Sequence, residues 1–204
     1  MNFDFSEDQK MLKEQVSKFL SDNCSLDVAR DILESDKTYS EEVWRGLVDL
    51  GLTGTAIPEE YGGIGMGFLE LCVIAEELGR GIAPIPFSSS VYLATTAILN
   101  SSNEDIKKEY LPKLSSGEMI GTFAHSEKTS FPDESGIECK VKGLKLSGQK
   151  IAVPDGDVAD FAIVSAKNGK NVALYIVNLK DKNVSINSLD TFDPSRSHAN
   201  INFD

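Results

Sequence analysis

Apolar residues recur at helical spacing through the first part of the chain and at alternate positions through the rest. After Ser6-Glu7-Asp8-Gln9, the residues Met11, Leu12, Val16, Phe19 and Leu20 form one stripe of a helix. Ser6 and Gln9 are spaced as a capping box, in which the serine accepts from the backbone and the glutamine reaches back. A second helix is predicted over Leu26–Leu33. Ser40 opens a third, with Glu41 and Glu42 in its first turn, where negative charge meets the positive helix end. Val43, Trp44, Leu47 and Val48 then face inward. From Phe68 to Leu78 the chain is apolar nearly all round, which predicts a helix in the middle of a bundle. Ser88 to Leu99 predicts another buried helix, and Asn103 caps a short one that stops near Pro112.

From about Glu118 the period becomes two. Ile137, Cys139 and Val141 alternate with polar residues, and the phase shifts across Lys142-Gly143 to Leu144 and Leu146, as a tight hairpin requires. Phe161 to Ala166 and Val172 to Val177 flank Lys167-Asn168-Gly169-Lys170, and Asn-Gly is a strong hairpin signal. Val184 and Ile186, then Ala199, Ile201 and Phe203, add further strands. No helical period separates the strands. The expected class is therefore α+β and multidomain: an all-α bundle over residues 1–117, then an antiparallel β-barrel or sandwich domain over 118–204.

Composition narrows the function classes. The 204 residues carry a net charge of −12, with 41% hydrophobic and 25% charged residues, as in ordinary folded proteins. Residues 1–117 hold ten basic and twenty acidic side chains, and 118–204 hold ten and twelve. Lys and Arg are scattered, which argues against nucleic acid as a partner. No apolar run approaches the ~18 residues of a membrane span, so no membrane partner is expected. The start Met1-Asn2-Phe3-Asp4-Phe5 lacks a signal peptide's basic and apolar regions, and a cytoplasmic location is expected. Cys24, Cys72 and Cys139 are odd in number and far apart, without the spacing of a disulfide framework or zinc site.

Candidate chemistry is sparse by spacing alone. Gly62-Gly63-Ile64-Gly65-Met66-Gly67 suggests a dinucleotide loop, but Phe68 stands where a further glycine is needed and no strand precedes it. A compact loop leading into the buried helix is the expectation. His125-Ser126-Glu127 juxtaposes base and nucleophile types, yet neighbours in a strand point to opposite faces, so they make no triad by themselves. His198 is expected at an exposed loop or strand edge. Asp155, Asp157 and Asp160 around Gly156 lack the remaining ligands of a calcium loop and read as an acidic turn. No catalytic residue and no metal site is assigned.

The order and wording of several segments resemble the N-terminal helical and middle β domains of the acyl-CoA dehydrogenase family, over nearly the whole chain. Phe5-Ser6-Glu7-Asp8-Gln9 is followed by Gly51-Leu52 and by Ile57-Pro58-Glu59-Glu60-Tyr61-Gly62-Gly63-Ile64-Gly65, the most specific stretch. Glu76-Glu77-Leu78-Gly79 comes next. Tyr110-Leu111-Pro112-Lys113-Leu114-Ser115-Ser116-Gly117-Glu118 leads into Phe123-Ala124-His125-Ser126-Glu127. Leu146-Ser147-Gly148-Gln149-Lys150, Ala159-Asp160, Asp193-Pro194-Ser195-Arg196 and Ala199-Asn200-Ile201-Asn202-Phe203 complete it.

The resemblance implies α,β-dehydrogenation of an acyl-CoA thioester with hydride transfer to FAD, and FAD as cofactor. By residue it implies cofactor contacts at Phe123, at Ser126 in place of the family's threonine, at His125 in place of an apolar residue, and at Val153 and Pro154. There the family's Trp-Ile-Thr falls on Ala152, Val153 and Pro154. Ser130 is a candidate for the family serine near the acyl-CoA. The family's catalytic carboxylate and most CoA contacts come from a C-terminal helical domain that has no counterpart in these 204 residues. The resemblance therefore implies a fragment without turnover of its own and with apolar surface left on its helices. Its implied partners are acyl-CoA, an electron-transfer flavoprotein, and other subunits in a homo- or hetero-oligomer. The alternatives are a non-catalytic subunit of a heteromeric dehydrogenase, favoured by Ala152 and Pro154, and a related acyl-CoA oxidase or flavin monooxygenase.

Overall fold

The structure is a computed structural model that describes residues 4–128 and 134–204. Ser130 lies outside the described residues. By its contacts the chain forms two compact units, one of residues 1–85 with 104–118, the other of 86–103 with 119–204.

The first unit is helical: α1 (Glu7–Asn23), α2 (Leu26–Leu33), α3 (Glu41–Asp49), α4 (Phe68–Arg80) and, after the segment that belongs to the second unit, Glu104–Ser115. The capping box of α1 forms as the spacing predicts. Ser6 Oγ accepts from the Gln9 N–H at 3.2 Å, and Gln9 Oε1 accepts from the Ser6 N–H at 2.9 Å. Ser40 Oγ likewise accepts from the Val43 N–H at 3.3 Å. The core collects Val16, Leu20, Val43, Trp44, Leu47, Leu71 and Ile74, all nearly inaccessible. Two expectations change here. The last helix runs through Pro112 to Ser115, because the missing proline N–H costs one bond near the end of a helix that Leu111 and Leu114 anchor in the core. Residues of α4 are apolar all round, but the helix is not enclosed. Leu71, Val73 and Ile74 are buried, while Phe68, Leu69 and Cys72 are exposed, since an all-round pattern cannot select which face is covered.

The glycine segment 62–67 is a folded loop, as expected. Its N–H groups are spent on the chain itself. Gly63 donates to Pro58 O, Ile64 to Gly54 O, Gly65 to Ile57 O at 2.8 Å and Met66 to Thr55 O at 2.7 Å. With its amides so engaged, the loop has no donors to present to a phosphate. Gly63 is there for space: a Cβ would sit 1.9 Å from Ile57 O.

The second unit begins with a buried helix that is a π-helix over Ser88–Thr95 before closing as α5 (Thr96–Leu99); Glu104–Ser115 above is thus α6. It packs with the sheet of β1 (Gly121–Ala124), β2 (Lys140–Lys142), β3 (Lys145–Pro154), β4 (Phe161–Asn168), β5 (Asn171–Asn178), β6 (Val184–Ser188) and β7 (His198–Phe203). Both predicted hairpins form. Gly143 turns β2 into β3, and Gly169 turns β4 into β5 with Asn168 opposite Asn171. The sheet curls into a half-barrel in the order β1-β4-β2-β3-β7-β6, with β5 on β4. It is mixed rather than antiparallel: β1 and β2 each run parallel to β4. Period-two patterning reports which face is buried, not the direction of a neighbour distant in sequence, so this pairing was not readable from it. Strand β4 explains its own near-continuous apolar run, broken only by Ser165, since all of Phe161–Ala166 is buried.

Gly63→Ala is expected to lower stability by about 2 kcal/mol or more, because the clash is with backbone that cannot move aside. Gly62→Ala, which meets open space at positive φ, should cost only about 1 kcal/mol. Urea unfolding of the two variants checks the order. Of the three thiols, Cys72 alone is exposed, so titration with a thiol reagent should find one reactive group in the native protein and three after denaturation.

Candidate functional site

The residues singled out for the cofactor lie on two segments of the second unit, and the structure brings these together. Strand β1 ends at Ala124 and the chain runs on through His125 and Ser126, and β3 ends in residues 151–154. Ile151 N donates to Ser126 O at 2.8 Å, and Thr122 Oγ1 donates to Pro154 O at 2.6 Å. Alternate residues of extended chain share a face, and His125 directly follows β1. Ala124 is fully buried, while Phe123 and His125 are half-buried on the other side. Their rings lie nearly parallel, 22° apart in plane with centroids 6.1 Å apart. This makes a flat, partly open aromatic surface beside Ser126.

On the second segment the side chains behave differently. Strand β3 breaks register with β7 between Lys150 and Val153, and Ala152 takes φ +48° at that bulge. Ala152 N donates to Asn200 Oδ1 at 3.1 Å, and its methyl is exposed. Val153 is 1% exposed and offers a ligand only its backbone. Pro154 is half-buried, has no N–H, and already uses its carbonyl as acceptor for Thr122.

Two ion pairs hold this segment, one buried and one between a buried aspartate and a part-exposed arginine. At its start, Lys150 is 0% exposed and donates from Nζ to Glu127 Oε1 at 2.6 Å, His125 O at 2.9 Å and Ser165 Oγ at 3.0 Å. Glu127 also accepts from the N–H groups of Glu138 at 2.5 Å and Cys139 at 2.9 Å. Burial alone would push the Glu127 carboxyl up. The Lys150 ammonium and the two amides outweigh it and hold the group below the ordinary carboxylate range. Cys139 is fully buried against this pair and its thiol is pushed up to about 12, chiefly by burial, so it is an inert core residue.

At the other end Asp155, at φ +50°, pairs with Arg196 at 2.6 Å and accepts from Ser89. Burial pushes its carboxyl up, against the pull of Arg196. Arg196 also donates to Ser88 Oγ at 2.9 Å. Composition could not reveal either pair. The signal available was an invariant chemical need: a lysine and an aspartate placed among strand residues must find partners.

The acidic turn is committed to structure. Asp157 accepts from Ser188 at 2.8 Å, and Asp160 pairs with Lys180 at 2.5 Å and accepts from the Ile120 N–H at 2.8 Å. No group of three metal-ligating side chains occurs among the described residues. His198 is half-buried at the start of β7, with Nδ1 at 3.2 Å from Arg196 O, rather than in an exposed loop.

Comparison with known proteins places this fold. Residues 6–118 match the family described as the N-terminal domain of acyl-CoA dehydrogenase. The chain belongs to the acyl-CoA dehydrogenase family. It is similar to bovine (Bos taurus) mitochondrial isovaleryl-CoA dehydrogenase, 36% identical over 171 residues, which cover 79% of this chain and 39% of the relative. Among solved structures, a glutaryl-coenzyme A dehydrogenase in complex with glutaryl-CoA matches at TM-score 0.90 and 27% identity, over 100% of this chain and 55% of that one. The ChsE4–ChsE5 complex of Mycobacterium tuberculosis matches at TM-score 0.89 and 26% identity, over 100% and 56%. The chain spans about half the length of the curated relatives it matches.

Lys150→Met leaves the Glu127 carboxylate buried without its cation. It should cost about 3–5 kcal/mol, whereas Ser165→Ala should cost about 1 kcal/mol; denaturant unfolding measures both. Because the folded carboxyl of Glu127 lies below its ordinary 4.5, its contribution is complete above that value. It is lost as pH falls through the folded value. Glu127→Gln should flatten that acid limb of stability.

Proposed function

We propose that the protein is an FAD-binding oxidoreductase that acts in α,β-dehydrogenation of an acyl-CoA thioester. The observation that supports this most is the junction of the Phe123–Ser126 and Ile151–Pro154 segments, with the half-buried parallel rings of Phe123 and His125 on its open side. The donor set suits a planar, amphipathic ring system. Two aromatic faces supply stacking area, and Ser126 supplies a hydroxyl that can donate to a ring carbonyl or nitrogen. In this reading Phe123, His125 and Ser126 hold the flavin, while Val153 and Pro154 shape its wall through their main chain. The bound flavin would supply the acceptor for two electrons and a hydride; the chain's own residues orient it and exclude water.

The catalytic base is not assigned to these residues. The carboxylates of Glu127, Asp155 and Asp160 are all tied into ion pairs within the second unit. The 204-residue chain alone should therefore show no acyl-CoA turnover, and the full activity would need elements supplied outside it.

A second reading is favoured by Ala152 and Pro154, which offer neither ring nor hydroxyl at the second segment: a subunit that completes a partner's site. The ChsE4–ChsE5 structure is a complex of two proteins, which keeps a heteromer in view, and an electron-transfer flavoprotein as electron acceptor belongs to the first reading. No helix among the described residues is long and apolar enough to cross a membrane. A cytoplasmic site of action stays part of the proposal, beside a relative that is mitochondrial.

A visible spectrum of the protein from its complete reading frame decides between the readings, taken as purified, with FAD, and after anaerobic addition of mixed acyl-CoAs. A flavin band that bleaches with acyl-CoA is the expected result. Failure to take up FAD would leave the subunit reading.

A further inference from the structure

The segment 151–154 carries an unusual backbone, and this inference rests on the flavin reading of the site beside it. Ala152 at φ +48° and Asp155 at φ +50° lie in the left-handed region that non-glycine residues avoid. Such conformations persist where the surroundings over-determine them, and they concentrate at ligand sites. Here the surroundings are two side chains and one isolated backbone carbonyl rather than a regular strand ladder. Asn200 takes the Ala152 N–H, Thr122 takes the Pro154 carbonyl, and Ser126 O takes the Ile151 N–H. The two flanking residues, Lys150 and Asp155, are both buried charges, 0% and 2% exposed.

Stability alone does not explain two buried charges. A well-packed apolar replacement of a buried ion pair is often as stable or more so. What an apolar pair cannot do is direct hydrogen bonds. Lys150 sends its three donors to three different places: the His125 carbonyl, the Glu127 carboxylate and Ser165 of β4. Asp155 gathers Ser89 of the π-helix and Arg196 before β7, while its own N–H is bonded to Ser197 O. The geometry points to Lys150 and Asp155 as positioning residues: each fixes one end of the 151–154 bulge against the Phe123–Ser126 strand, so that the surface offered to the flavin is set before the flavin arrives. Neither touches the ligand. Lys150 acts through the His125 carbonyl and Asp155 through the turn that follows Pro154.

The test compares FAD affinity of the apo-protein with its thermal midpoint, using the full natural reading frame. The double variant Glu127→Gln/Lys150→Met removes both charges yet keeps an acceptor oxygen for the Glu138 and Cys139 amides. It should unfold near the wild-type temperature but bind FAD about tenfold or more weakly, the scale seen when outer partners of a bound group are lost. Asp155→Ala should weaken FAD similarly, while Asp155→Asn, which still accepts from Ser89 and Arg196, should restore affinity. Wild-type affinity in a folded Glu127→Gln/Lys150→Met protein overturns the assignment. So does equal affinity in Asp155→Ala and Asp155→Asn, the comparison that decides should the double variant not fold. If the unsubstituted protein takes up no FAD, the flavin reading itself fails, a result visible before any variant is made.

Discussion

An ammonium group with no solvent exposure is the constraint around which the second unit is arranged. Removing Lys150 from water costs several kcal/mol, which only close and well-directed acceptors can offset. The three it finds come from two stretches far apart in sequence: His125 and Glu127 just beyond β1, and Ser165 in the middle of β4. For one Nζ to reach all of them, β1 and β4 must be neighbours, and they are, running parallel from Gly121 opposite Phe161. Glu127 then carries the constraint onward by accepting the Glu138 and Cys139 amides at the entry to β2. Gly148 completes the arrangement, because a Cβ there would lie 2.6 Å from Cys139 Sγ. The mixed topology and the buried pair thus require each other.

The helical unit follows different physics. Its elements are set locally, by serine caps, by acidic first turns and by apolar stripes, and most of its ion pairs, such as Lys13 with Glu76 at 2.8 Å, lie at the surface where they contribute little. Its most distinctive stretch, the glycine loop, spends its amides on its own backbone. The helical unit also carries an exposed apolar face at Phe68 and Leu69.

What could be read in the sequence tracks how local the governing physics is. The caps of α1 and α3, the extent of α2 and both hairpins depend on residues a few positions apart, and all formed as patterned. The parallel pairing of β1 with β4, the π-helix at Ser88–Thr95 and the passage of α6 through Pro112 depend on distant packing, and none was visible. Residues 86–103 illustrate the limit most sharply. Their helical pattern groups them with the preceding helices, yet Ser90 Oγ accepts from the Gly121 N–H at 3.3 Å and Ser89 bonds Asp155, so their contacts lie with the sheet. At the candidate site the resemblance singled out two segments that the fold brings side by side, but it could not show that Val153 turns inward or that Lys150 and Asp155 bracket the second.

That bracketing bears on the departures at Ala152 and Pro154. If the second segment contributed through side chains, an alanine and a proline would abolish it. In this structure its side chains contribute little: one is an exposed methyl, one is buried, and one is a ring without a donor. What is conserved by the geometry is the path of the backbone, held at four points by Ser126, Asn200, Thr122 and Ser197. A wall defined by backbone path tolerates the loss of side chains so long as the anchors remain. Those anchors are flanked by two buried charges, Lys150 and Asp155, so the backbone path depends on them and not on the side chains at 152–154.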